Sequence, residues 1–323
     1  MTHPFRSALG PTGAGLLLAL LVAPGASALA APAVLTLSDD VEPLTMPEPA
    51  AGPSHLAVAH DLDIEWGFVA NATTHGKGAH FHSGAEQSSL LRYVFSPQIT
   101  PRVLLHFGAE WQRIAFGAPD HAPVPNSIQD ISAILGLDWQ ITDRWLLRTE
   151  FQPGVYSDFQ DVSSSDLDAP LLLSAAYLAN PDLQWFLGLR LDPRSHYPVI
   201  PAVGLRWKFA DEWTLNAVLP RPRLQYDFSD RLQTYLGAGI EAGTFRMGQD
   251  FGDARRWHDL NGSILDYFEV RVGPGFSWKI RPPITIEADA GYMVYRRFDF
   301  SDRHVVFRSD PAPYFQLACR FRF

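Results

Sequence analysis

The chain has 323 residues, with 24 Gly, 26 Pro, a single Cys and a formal net charge of −9. The lone cysteine, Cys319, excludes an intramolecular disulfide framework and a Cys-rich metal centre. The acidic balance argues against a nucleic-acid binder that neutralises phosphates. A composition 46% hydrophobic and 19% charged is too apolar for a disordered chain.

Residues 1–30 read as a secretory signal peptide. His3 and Arg6 make a weakly basic start, residues 13–23 are apolar, and Ala26-Ser27-Ala28 or Ala28-Leu29-Ala30 supplies a small-x-small cleavage site. The apolar run is too short to span a bilayer as a mature helix. Residues 31–54 carry Pro32, Pro43, Pro47, Pro49 and Pro53, a density that blocks helix and ladder alike, and read as a Pro-rich periplasmic linker.

From residue 55 to 323 the hydrophobic period is 2, the period of a strand with one apolar and one polar face. Leu62, Ile64, Trp66 and Phe68 alternate with Asp61, Asp63 and Glu65. The pattern recurs at 133–141, 147–152, 187–192, 203–209, 269–279, 284–292 and 315–323. A soluble sandwich gives the same alternation in any one strand. The aromatic residues at strand ends (Trp139, Trp145, Trp207, Trp213 and Trp278), the secretory signal and the connections favour a membrane barrel. Short turns fall near 98–101, 142–143, 180–182, 210–212, 229–230 and 281–283. Connections that are mostly longer and polar fall near 71–87, 117–127, 157–168, 193–198, 220–222, 247–262 and 298–312. That order predicts an all-β, antiparallel up-and-down barrel of 14 strands with both termini periplasmic. If 213–229 is not a pair of spanning strands, the count is 12.

On this reading the polar face lines the lumen. The expected lining is Asp61, Asp63, Glu65, Arg148, Glu150, Arg190, Arg206, Lys208, Glu241, Glu269, Arg271, Glu287, Asp289, Arg320 and Arg322. Closure makes the first and last strands neighbours, so Asp61, Asp63 and Glu65 should lie beside Arg320 and Arg322. The lumen is then either an ion-lined path or a salt-bridged filling, and an outer loop or the 31–54 segment is a candidate plug.

Three local clusters invite chemistry. In Ala79-His80-Phe81-His82-Ser83-Gly84, His82 and Ser83 are the residue types of an ester hydrolase, but no orienting partner or oxyanion site is legible. His80 and His82 share a face if extended, yet no third metal ligand of matching spacing follows. Asp250, Asp253 and Asp259, mixed with Arg255 and Arg256, lack the spacing of a calcium loop. Gly237, Gly239 and Gly243 lack the strand-turn-helix context of a phosphate loop and read as space for lumen neighbours. The sequence therefore assigns no catalytic residue, metal or cofactor.

The chain ends Tyr314-Phe315-Gln316-Leu317-Ala318-Cys319-Arg320-Phe321-Arg322-Phe323. A terminal Phe preceded by apolar residues at every second position resembles the C-terminal insertion signal of bacterial outer-membrane barrels, here Phe315, Leu317, Phe321 and Phe323. The stretch 211–232 also resembles uncharacterised barrels of the domain-of-unknown-function type. These resemblances imply a bacterial outer-membrane location, contact with lipid and lipopolysaccharide, and insertion by the barrel-assembly machinery. No activity comes with them. The expected function is a pore or passive transporter for small polar solutes. The alternatives are a structural or adhesive barrel with a closed lumen and a lipid or ester hydrolase using His82 and Ser83.

Overall fold

The computed structural model describes residues 58–323; the expected signal peptide and linker lie outside the described residues. The described chain is one antiparallel sheet closed on itself. Its wall strands are β1 Val58–Val69, β2 Glu86–Thr100, β3 Val103–Phe116, β4 Ser127–Thr142, β5 Trp145–Phe151 continuing as Gly154–Ser157, β6 Leu171–Asn180 and β7 Leu183–Leu191. The wall continues with β8 Val199–Lys208, β9 Trp213–Ala217, β10 Arg223–Ser229, β11 Leu232–Arg246, β12 Ile264–Arg281, β13 Ile284–Phe300 and β14 Ala312–Arg322. Each pairs with the next, and β14 returns to β1 to give 14 strands with no free seam. The closing register sets Asp61 opposite Arg322 and Asp63 opposite Arg320.

The alternation in sequence becomes alternation in space. On β1, Ile64 and Trp66 are exposed on the outside while Glu65 and Gly67 are buried inside. On β8, Val203 is 67% exposed beside buried Gly204. The short turns lie where the Ser, Thr and Asx residues predict them. Thr100, Thr142 and Ser229 hydroxyls and the Asn180 amide oxygen each accept a turn N–H, at 3.0 to 3.3 Å.

The opposite end departs from a simple polar fringe. The 71–87 connection contains a hairpin, Ala72–Gly76 with Ala79–Ser83, which pairs in turn with Val305–Ser309 from the 298–312 connection. Buried apolar residues from strand ends and loops form one cluster there. It includes Ile114, Phe116, Val124, Ile128, Met247, Phe251, Leu260, Leu265, Phe298, Phe300, Val305 and Phe307. Arg255 fastens two of the loops. Its guanidinium donates to the Val124 carbonyl at 3.2 Å and to Asn126 Oδ1 at 3.2 Å, and lies over the Phe251 ring at 4.3 Å.

The wall is also stepped. β6 to β10 are 10, 9, 10, 5 and 7 residues long, whereas β2 to β4 and β11 to β13 run from 14 to 18. A tilted strand needs about 9–11 residues to cross a hydrocarbon core, so β9 and β10, at 5 and 7 residues, are both too short. The expectation of two full strands over 213–229 holds for their number and not for their height. The Pro220-Arg221-Pro222 link runs on along β11, with the Pro222 and Pro220 carbonyls accepting from Ala238 and Ile240 at 2.9 and 3.1 Å. Neither proline ring has an N–H to donate, which suits a segment paired through its carbonyls.

Above that hairpin, residues 199–204 of β8 have a ladder partner on the β7 side only, among the described residues. The 192–198 connection crosses to β12 at this level. Ser195 Oγ donates to Asp266 Oδ1 at 3.0 Å and the His196 N–H to Asp266 Oδ2 at 3.3 Å. Thr244 and Ser301 hydroxyls complete the shell of that carboxylate at 2.8 and 2.9 Å. At the long-loop end β5 and β11 meet directly, Ser157 beside Arg246.

Candidate functional site

The inward faces converge on an interior filled with ionisable side chains. Its densest part lies just beneath the apolar cluster. Arg271 on β12 donates through Nε to Glu269 at 2.6 Å and through Nη2 to Glu86 on β2 at 2.9 Å. It also pairs with Glu241 on β11 at 3.0 Å. Arg296 on β13 donates to Glu269 at 2.6 Å and also pairs with Glu86. The Tyr267 hydroxyl donates to Glu269 Oε2 at 2.8 Å. Glu269, Glu86, Arg271 and Arg296 are between 0% and 2% exposed. The span from β12 to β2 crosses the barrel interior, and Gly67 on the intervening β1 leaves room for it. A Cβ there would lie 2.3 Å from Ser88 Oγ and 3.0 Å from Arg271 Nη1.

Two further sets extend toward the short-turn end. On one side Glu65 takes Arg221 at 2.5 Å and Gln316 at 2.9 Å, and Arg320 sits between Glu65 and Glu287 at 3.7 and 3.5 Å. On the other, Arg92 bridges Glu110 at 2.7 Å and Glu150 at 2.9 Å, while Arg148 grips Asp138 through two nitrogens at 2.7 and 2.6 Å. Leu146, Ala176, Phe186 and Val218 form a small inward apolar cluster. A small cavity remains beside Arg223, Tyr235, Gly239, Arg271, Asp289 and Tyr314. A Cβ on Gly239 would meet nothing within 4 Å.

Of the residues expected on the lining, Glu65, Glu150, Arg190, Glu269, Arg271, Glu287 and Arg320 are buried. Asp61, Asp63, Arg148, Arg206, Glu241 and Asp289 are partly buried. Lys208 and Arg322 stand exposed near strand ends. The sequence reading omitted Glu86, Arg92, Glu110, Asp138, Arg221, Arg223 and Arg296. Glu86 was assigned to a connection, but it is the first residue of β2 and pairs with Phe116. Among the terminal residues, Phe315, Leu317 and Phe323 are exposed and Phe321 is half-buried.

The hydrolase geometry does not form. His82 and Ser83 are consecutive on a strand and point to opposite faces. Ser83 is buried with its hydroxyl 2.9 Å from Thr74 Oγ1, whereas His82 is exposed with Nδ1 3.1 Å from Thr73 Oγ1. Glu86, Glu241 and Glu269 bring carboxylate oxygens within 4.8 Å of one another. Arg271 and Arg296 already supply the countercharge there. In the 247–262 connection Asp253 pairs with His258, and that hydrogen bond holds its carboxyl below the usual range. Asp158, just after the end of β5, is pushed up by burial although it accepts the Gly248 N–H at 3.2 Å.

A family model described as a domain of unknown function (DUF6268) matches residues 105–323, and the chain belongs to that family. No curated protein matches the sequence. Solved structures show distant similarity. The COG4313 outer membrane channel from Pseudomonas putida F1 has a TM-score of 0.46 at 9% identity, covering 85% of this chain and 99% of that one. The P. putida toluene transporter TodX has a TM-score of 0.41 at 8% identity, covering 82% and 89%. The NanC porin has a TM-score of 0.35 at 11% identity, covering 80% and 98%.

Proposed function

We propose that this protein is an outer-membrane channel for small polar solutes that rests closed. The carrying observation is the interior: acidic and basic side chains occupy the inner face in successive sets and bridge it from Arg271 to Glu86. A barrel serving only as a scaffold has little physical reason for so many buried charges, because buried ion pairs are seldom more stabilising than apolar residues of equal volume. A path that opens to water does have such a reason. In the open state the same groups are hydrated and their pairs are exchanged for solute.

Membrane placement rests on the outward face. Ile64, Leu91, Leu135, Leu187 and Val203 expose apolar side chains in the middle of strands, and Trp139, Trp145, Trp207, Trp213 and Trp278 mark the short-turn end. That is the girdle expected at a membrane interface. Closure satisfies the backbone groups that a lipid-facing edge would strand. On this reading the short turns and both termini are periplasmic, and the apolar cluster faces the outside as a cap, close to lipopolysaccharide. Phe323 and its alternate partners serve the assembly machinery.

The cap favours a second reading, a structural barrel that never opens. Planar-bilayer recording of the refolded chain separates the two. Intermittent, salt-dependent steps support a closed-resting channel. A barrel that is inserted and heat-modifiable yet silent at every voltage sinks it.

A further inference from the structure

We propose that the hairpin at the long-loop end carries a transition-metal site formed by His75, His80 and His82. The sequence offers His80 and His82 as a pair lacking a third ligand downstream. The fold supplies one from upstream. Lys77 and Gly78 both have positive φ, +39° and +81°, and make a two-residue turn. The register that follows sets Gly76 opposite Ala79 and His75 opposite His80. Pairs next to a two-residue turn alternate between hydrogen-bonded and open. His75 and His80 therefore occupy an open pair, where Cα atoms come within about 4.5 Å and side chains are closest. His82 is two residues from His80 and shares its face, and the two rings lie 6.2 Å apart.

The two faces of this hairpin differ completely. Ala72, Thr74 and Ser83 are buried and Phe81 packs against the cap cluster. His75, His80 and His82 are all exposed on the other face. One of the three rings already has an outer partner: His82 Nδ1 lies 3.1 Å from the Thr73 hydroxyl. Such a partner on Nδ1 leaves Nε2 as the ligating atom, the usual arrangement around a metal-bound imidazole. The Asp310 carboxylate lies 3.7 Å from His75 Nδ1, beyond hydrogen-bond distance, and is near enough to serve as a fourth, oxygen ligand. The ligating nitrogens do not all lie within coordinating distance as the rings stand. They are exposed and turn about their side-chain bonds without disturbing the buried face. Arg308, the cross-strand partner of His75, and Lys77 in the turn are the nearby cations, and their charge opposes that of a metal. Three neutral imidazoles with one carboxylate suit zinc or another late first-row divalent ion.

The probe is zinc chloride, titrated by calorimetry into the full chain refolded in detergent. The proposal predicts saturable binding of one ion per chain. H75Q and H80Q should each weaken it at least about tenfold, and H75Q/H80Q/H82Q should abolish it. Cobalt in place of zinc should give visible d–d bands that the triple variant lacks. Heat-modifiable migration checks the fold of each variant. An absence of saturable heat with the unmodified chain overturns the proposal. So does an unchanged isotherm from the folded triple variant, which places the ion elsewhere.

Discussion

Arg322 Nε lies 3.4 Å from Asp61 Oδ1, across the seam where the last strand meets the first. Two residues further along that seam, Arg320 is buried between Glu65 and Glu287. The two arginines do the same topological job at different energies. The exposed pair is worth a few tenths to about 1 kcal/mol, and loss of one partner from the buried set costs about 3–5 kcal/mol. Asp61→Ala should therefore leave urea unfolding of the detergent-folded barrel almost unchanged. Arg320→Glu should stop closure, seen as loss of the heat-modifiable band.

Arg271 touches three carboxylates, so removing it takes that partner from Glu241 and leaves Glu86 and Glu269 to share Arg296. Arg271→Ala should cost about 3–5 kcal/mol in denaturant unfolding. It should also admit water to the interior, measured as faster exchange of the β12 and β13 amides near 266–272 and 292–298. An unchanged exchange pattern would show that Arg271 does not seal the interior.

The cap has a separate handle. Phe300 is 0% exposed and its ring packs with Phe251 and Phe307 at centroid distances of 5.9 and 6.3 Å. Phe300→Ala should cost about 3–5 kcal/mol and sensitise the 247–262 segment to protease. Arg255→Ala should loosen 117–127 and 247–262 together, because one guanidinium holds both. Protease cutting confined to one of the two would contradict that clamp.

Asp158 gives the long-loop end a pH dependence. Burial raises its folded pKa above the ordinary carboxyl value. The protonated form is thus favoured by folding. Its contribution is largest below the unfolded pKa and falls as pH rises from there through the raised folded value. The difference in melting temperature between Asp158→Asn and the unmodified chain should be small at low pH. It should grow in favour of the variant toward neutrality. A difference that is flat with pH would contradict the assignment.

The strand number, the short turns and the seam were legible because a period of 2 and turn chemistry are local properties. That the acidic first strand meets the basic last strand followed from closure alone; the register that sets Asp63 opposite Arg320 did not. Which charges meet was not legible, because Arg271 and Glu86 are 185 residues apart and their contact depends on barrel register. Glu86 was hidden by a strand start misplaced into a connection. The cap left a trace that was available: Met247, Phe251, Leu260, Val305 and Phe307 are apolar residues in connections read as polar. The His82 and Ser83 dyad was excludable from sequence, since adjacent residues on an extended segment face opposite ways. The short β9 was foreshadowed by the prolines at 220 and 222.

The most direct test of a channel closed by its own interior is to compare open probability between the unmodified chain and Arg271→Ala/Arg296→Ala in planar bilayers. The account predicts brief, infrequent openings for the former and a markedly higher open probability, with larger steps, for the latter. Identical traces from two folded, inserted barrels would contradict it.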